Sequence, residues 1–431
     1  VPDFLPFAGI RYDPARFAGP AGPSADLRSV AAPPYDVIDE DDRALLEAAD
    51  PHNAVRLLLP RDAADRDRYQ VAADAFAHWQ ATGVLVADDE ARFYAYSMEF
   101  DDEDGRSRRT RGVIGAVGLP DADGPDADGP DAGGATAAAV IPHERTLPKA
   151  KSDRLSLLRA TRANLDPIWC LSLASGLSDL LDAGAGEPLA GCVDSGGVRH
   201  QLRALTGDPD PISELVGGAS LLIADGHHRF ETAFNYRNER AATREGDAGA
   251  GRIMTFVVEL SEEELCVRAI HRVLSEVGDV DLRTQLAASF TVVDAGPNTP
   301  DGVSALRHRM VSAGGLGLVD RSGLALLVPR RAELEPRLEG VESTLRDVDA
   351  TLFEVGIQEQ LPDRVEVEYR NDCAVVAALV EKGAADAAVL LRPVTVPQIR
   401  EAAFAGVRMP QKTTFFHPKP RTGMVFRSLD R

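Results

Sequence analysis

Apolar and polar positions follow two different periods along this chain, and the switches between them mark its elements. Residues 39–49 begin with acids, as the positive end of a helix favours. From 65 to 82, Tyr69, Ala73, Phe76 and Trp79 recur near helical spacing, and Gly83 ends the run. Residues 92–100 and 111–119 are β-rich and flank a charged DDEDGRSRR, which reads as a hairpin. Residues 31–38, AAPPYDVI, place two prolines ahead of a β-prone tail, so an extended loop entering a strand is expected. Residues 151–163 predict a helix capped near Ser152 or Asp153. A buried strand follows at 167–173. Residues 212–215 read as a short helix. The apolar run 219–224 has the length of a fully buried strand, and a helical pattern resumes by Arg229. Another strand is expected at 252–260. The remainder alternates again: strands near 290–294 and 323–328, helices at 346–361 and 374–382, a strand at 387–392, a helix at 396–405 and an extended tail. The class is α/β or α+β, with a mixed sheet core.

The chain has 431 residues, which at about 150 per domain predicts three domains or two large ones. Residues 120–134 are nearly three copies of an acidic, Pro- and Gly-rich five-residue unit with no large apolar side chain. Such a segment buries too little surface to fold. The expected division is an N-terminal α+β part at 1–119, a disordered acidic insertion at 120–140, a core at 141–275 and a smaller C-terminal α/β part at 276–431 whose tail returns to the core.

Acidic residues number 68 against 47 basic, a net charge of −21. That sign opposes non-specific binding to nucleic acid. No run of 18 apolar residues predicts a membrane helix, and the first residues lack the basic-then-apolar order of a secretory leader. The four cysteines are too far apart for a CxxC site and too few for a disulfide framework. A cytoplasmic protein with reduced thiols is expected.

Candidate chemistry concentrates in a few segments. After the buried run at 219–224 come Asp225, Gly226, His227, His228 and Arg229. The glycine at 226 permits a tight turn and a close-lying ligand. The unpaired amides and positive dipole of the following helix favour an anion, phosphate above all. The Arg229 fork matches phosphate oxygens, and Asp225 suits a divalent cation such as Mg²⁺. Four of the five lysines lie in two further segments. IPHERTLPKAK, at 141–151, offers His143 and Glu144 as acid or base and Lys149 as a phosphate partner. MPQKTTFFHPKPRT, at 409–422, offers Lys412, His417 and Lys419 as an anion wall; a basic stretch that offsets neighbouring acids has the same composition. Asp36, in PPYDVI, is either a turn residue or a catalytic carboxylate.

These blocks, PPYDVI, IPHERTLPKAKSDRLSLLR, IADGHHRFETA and MPQKTTFFHPKPRTGMVF in this order, resemble the prokaryotic family called domain of unknown function 1015. The stretch from Gly226 to Ala233 is also similar to the Gly-x-x-Arg-x-x-x-Ala signature of the ParB and sulfiredoxin superfamily, most of all to its free serine kinases. That resemblance implies phosphate binding by Gly226, His227, His228 and Arg229, with metal at Asp225 and a catalytic carboxylate upstream, either Asp36 or Glu144. Sulfiredoxin chemistry needs a cysteine inside the signature, and histidines stand there instead. A ParB-like DNA role is opposed by the net charge.

The leading expectation is phosphoryl transfer on a small hydroxylated metabolite, serine kinase-like or phosphoserine phosphatase-like, with ATP or ADP as the nucleotide and Asp36, His143, Glu144 and His228 as catalytic candidates. The alternative is a nucleotide-binding switch or sensor without turnover.

Overall fold

The computed structural model describes residues 3–19, 24–120, 140–142, 151–243 and 249–430. The expected acidic insertion, apart from its two ends, and His143, Glu144 and Lys149 lie outside them. Contacts divide the chain into two units. Of the described residues, the first gathers those up to 142, those from 151 to 266 and the tail 418–430; the second holds 267–417.

The first unit is built on a mixed sheet of ten strands. Its centre is the antiparallel hairpin Tyr94–Asp101 and Ser107–Gly118, followed by Arg252–Glu259, Ile168–Ser172 and Leu221–Asp225. Arg252–Glu259 runs parallel to Ile168–Ser172, which pairs antiparallel with Leu221–Asp225. Strands 168–172 and 221–224 are buried on both faces, and both are apolar throughout apart from Ser172. Their inner residues Ile168, Cys170, Leu221 and Ile223 pack with Phe230 and Ala233 of the helix His227–Thr243. Burying such side chains contributes about 1.5–3 kcal/mol each.

The helices begin where short acids can accept backbone amides. Asp39 caps Glu40–Ala49, and Asp67 caps Arg68–Ala81 by accepting from the amides of Tyr69 and Gln70. One expectation is corrected here. Tyr35–Val37 is a 3₁₀ turn and not a strand entry: Pro34 has an extended backbone, and its carbonyl then accepts from the Val37 amide at 3.2 Å. The hairpin Ala185–Val193 and Arg199–Leu205 is an element that the sequence pattern does not announce. Its Asp-Ser-Gly-Gly turn places Gly197 at φ +80°.

The second unit is a six-stranded sheet in which every pairing among the described strands is antiparallel. Helices Pro300–Ala313 and Cys373–Glu381 cover it, with Val303, Leu306 and Met310 meeting Val376 and Val380. The helix expected over 346–361 is shorter, Asp349–Gly356, and is followed by a 3₁₀ turn at Gln358–Gln360. Among the described residues no helix is long and apolar enough to cross a membrane.

Candidate functional site

The strand Leu221–Asp225 delivers Asp225 at its end, and the helix begins two residues later. Gly226, between them, has φ +93°, a conformation side chains rarely adopt. The close approach it permits is internal. A Cβ added at Gly226 would lie 3.0 Å from Nε and Nη2 of Arg229 and 3.0 Å from the Ile168 side chain. The space expected for a ligand over Gly226 is therefore taken by the guanidinium of Arg229, which folds back over the turn.

Arg229 is the hub of the site. Nη2 donates to Asp225 Oδ2 at 2.7 Å, and Nη1 donates to Asp166 Oδ2 at 2.7 Å and to the Pro167 carbonyl at 2.5 Å. Its Nε is buried without a hydrogen-bond partner. Lys419 donates to the other oxygen of Asp225. The side chains of Asp166, Asp225, Arg229 and Lys419 are all 12–16% exposed. Asp36 is exposed in its 3₁₀ turn and adds to the negative field around Arg229. Tyr35, beside it, stacks its ring under Arg154 at 4.4 Å.

The electrostatics follow from burial. Burial pushes the Asp225 carboxyl up, but Lys419 and then Arg229 outweigh it and hold the group down at about 2. Asp166 goes the other way: burial raises it, and Arg229 only partly offsets this. Burial opposes the charge of Arg229, yet Asp166 and Asp225 more than compensate and raise its pKa. The cluster thus contains one firmly ionised carboxylate and one that takes a proton more readily than an ordinary aspartate.

Asp225, Gly226, Arg229 and Lys419 come together as neighbours, with His227 close enough to help hold the Asp225 carboxylate ionised. His228 is half-buried on the first turn of the same helix. Lys412 and His417 belong to the second unit. Lys412 is exposed and His417 stacks on Phe415, with ring centroids 6.4 Å apart. Asp166 is the residue that sequence reasoning missed. It stands between Leu165 and Pro167, where an aspartate reads as a turn residue, and only the fork of Arg229 reveals it.

Both oxygens of Asp225 are engaged by cations, so a metal there would have to displace Lys419 or Arg229. Among the described residues no group of three or more His, Cys, Asp or Glu side chains is arranged to hold a metal ion. The donor set present does not fit Mg²⁺. The buried Nε of Arg229 is left as an unused donor. The gap bounded by Asp166, Asp225, Arg229, Trp169 and Pro420 measures about 10 Å³, room for about one water.

Several solved structures are similar to this chain. A conserved hypothetical protein from Pyrococcus furiosus is 14% identical, with a TM-score of 0.35, over 68% of this chain and 93% of its own. A free serine kinase in complex with AMP is 14% identical, with a TM-score of 0.34, over 64% and 83%. SbnI from Staphylococcus aureus, truncated at its C-terminus, is 13% identical, with a TM-score of 0.33, over 66% and 81%. Likeness at this level assigns no chemistry. No curated protein matches the chain. The family model described as "Protein of unknown function (DUF1015)" matches residues 4–351, most of the chain, and to that family the chain belongs.

Proposed function

We propose that the cluster around Arg229 carries phosphoryl transfer on a small hydroxylated metabolite, with ATP or ADP as the nucleotide and serine or phosphoserine as the first candidates. The observation behind this reading is the pairing of Arg229 with both Asp166 and Asp225 while Lys419 holds the second oxygen of Asp225. Two cations are gathered in advance at one point. Phosphoryl transfer asks a protein mainly for positioning and charge neutralisation, and fixed cations supply both. An arriving phosphate exchanges places with a carboxylate already bound to them.

Asp166 is our candidate for the base. Its raised pKa suits it to accept a proton. In the kinase direction the terminal phosphorus–oxygen bond of ATP breaks and the substrate hydroxyl oxygen bonds to that phosphorus. The hydroxyl proton passes to Asp166, and ADP leaves. Asp36, Glu144, His143 and His228 are the competing acid–base candidates, and Lys149, Lys412, His417 and His227 the further phosphate partners. We assign no step to Mg²⁺. A cytoplasmic setting accords with cysteines that remain thiols.

The test is turnover of ATP with serine, and of phosphoserine with ADP, by the full chain. Arg229→Ala and Asp166→Asn should each lower the rate more than tenfold, and Glu144→Gln should not. An unchanged rate in both variants overturns the reading. The second reading is nucleotide binding without turnover. Saturable nucleotide binding with no product under any pairing would establish that one instead.

A further inference from the structure

The six-stranded sheet of the second unit ends at two edge strands, Phe290–Gly296 and Glu366–Arg370. They differ in how well they are protected. The register of Phe290–Gly296 slips between Asp294 and Gly296, and such a bulge bends an edge away from further pairing. Glu366–Arg370 pairs with His271–Ser275 along its whole length without a break. Among the described residues no strand pairs with its outer side. Glu366, Glu368, Tyr369 and Arg370 are all exposed. An unbroken, exposed edge is a template for another strand.

The hydrogen bonds identify which groups face outward. The Tyr369 carbonyl accepts from Nη1 of Arg370 at 3.3 Å, on the exposed side of the strand. Backbone groups alternate along an antiparallel strand, so Val367 and Tyr369 present their amides and carbonyls outward, while those of Glu366, Glu368 and Arg370 face His271–Ser275. Side chains alternate as well. Glu366, Glu368 and Arg370 share one face of the sheet, and Val367 and Tyr369 share the other.

This edge, Glu-Val-Glu-Tyr-Arg, is complementary to itself run backwards. Around a two-fold axis at Glu368, the outward Val367 meets Tyr369 of a second copy, and the two exchange amide and carbonyl bonds. Their side chains form an aromatic–β-branched pair, one of the favourable cross-strand pairs. On the other face Glu366 stands opposite Arg370, once on each side of the axis. Glu368 meets its own copy, and Arg370 of the same strand offsets that repulsion by donating to it at 2.9 Å. Moving the axis to Val367 would set Glu366 against Glu368. Moving it to Tyr369 would set Glu366 against Asp372. Only the axis at Glu368 pairs the whole strand.

We propose that two copies of the chain associate through Glu366–Arg370, continuing the sheet of the second unit across a two-fold axis at Glu368. The strand is far shorter than the roughly twenty to thirty residues a side of a stable interface, so the dimer is weak and reversible. The proposal is independent of the phosphoryl-transfer reading. The net charge of −21 opposes association at long range, and physiological salt screens it.

Sedimentation equilibrium of the full chain at that salt, from micromolar to millimolar concentration, should show a monomer–dimer equilibrium. Glu366→Arg and Arg370→Glu each reverse a charge that occurs twice across the axis, and each should weaken the dimer about tenfold, or 1.4 kcal/mol. The variant carrying both changes re-forms the pairs with exchanged signs and should recover most of that loss. Glu368→Gln removes the like-charge contact on the axis and should tighten the dimer about threefold. All four variants alter exposed side chains and should keep the wild-type melting temperature. A chain that stays monomeric at millimolar concentration, its edge left to solvent or to a strand of another protein, overturns the proposal. So do single reversals that leave the association unchanged, which would place the contact on another surface, and a double variant as weak as the single ones.

Discussion

Lys419 and Asp225 stand 194 positions apart in the chain and form an ion pair at the end of a buried strand. Arg229 takes the other oxygen of the same carboxylate. Removing one member of such a group leaves the rest desolvated and only partly compensated, at a cost of about 3–5 kcal/mol for a fully buried pair. Lys419→Met should therefore destabilise the fold by about 3 kcal/mol, at the low end because both side chains keep some exposure. Adding Asp225→Asn should recover part of that loss. Urea denaturation of the wild type, both single variants and the double variant measures the coupling. Additive losses would show that the two residues do not act as a pair.

Gly226→Ala should cost about 1–3 kcal/mol, because φ is +93° and the new methyl group meets Arg229 at 3.0 Å. Gly83→Ala provides the comparison. Its φ is +68° and nothing lies within 4 Å of the added atom, so only the backbone penalty applies there, about 1–2 kcal/mol. The excess at Gly226 reports the contacts with the guanidinium and with the Ile168 side chain. Combining Gly226→Ala with Arg229→Ala should remove only the guanidinium's share of that excess, as read by thermal unfolding against the Arg229→Ala parent.

Tyr96, His200 and Asp194 form a buried chain that holds the tail near Lys419. His200 Nδ1 is 2.7 Å from the Tyr96 hydroxyl, and its Nε2 is 3.1 Å from Asp194. The Tyr96 oxygen accepts from the Arg421 amide at 3.0 Å. Every atom is satisfied when Tyr96 donates to a neutral His200 and His200 donates to Asp194. Burial, which lowers the pKa of this histidine, favours that neutral form. Tyr96→Phe removes the hydroxyl from the middle of the chain and should cost about 1–3 kcal/mol. Under the proposed function it should also weaken nucleotide binding, since Arg421 is two residues from Lys419. Denaturation and calorimetry read the two effects separately.

Much of this architecture is legible locally. Asp39 and Asp67 signal helix starts because a short acid accepts amides within its own turn. The run from Leu221 to Asp225 is legible because a strand buried on both faces has no polar alternation to hide it. Asp166 is not legible, since its meaning depends on a guanidinium 63 positions away. The fate of Arg229 is likewise invisible in a motif. Its side chain serves two carboxylates of its own fold before any ligand arrives, and spacing along the chain says nothing of those partners. The Tyr35 segment misleads because its β-prone residues are overruled by a turn begun at Pro34.

His271 gives a prediction with a defined pH window. Burial, reinforced by Arg307 and Arg272, lowers its pKa to about 4. Its Nδ1 accepts from the Leu391 amide at 3.2 Å, which requires that nitrogen to be unprotonated. The unfolded chain takes up the proton near the ordinary value of about 6.5. Between these two values the unfolded state holds more protons, so stability rises with pH across that range. The contribution is complete above about 6.5 and is lost as the pH falls toward 4, a change of a few kcal/mol. His271→Asn keeps an acceptor for the Leu391 amide but does not titrate, so it should flatten this part of the stability profile. Urea midpoints between about pH 4 and 7 for the two proteins decide the matter. Parallel profiles would mean that His271 keeps an ordinary pKa in the folded chain.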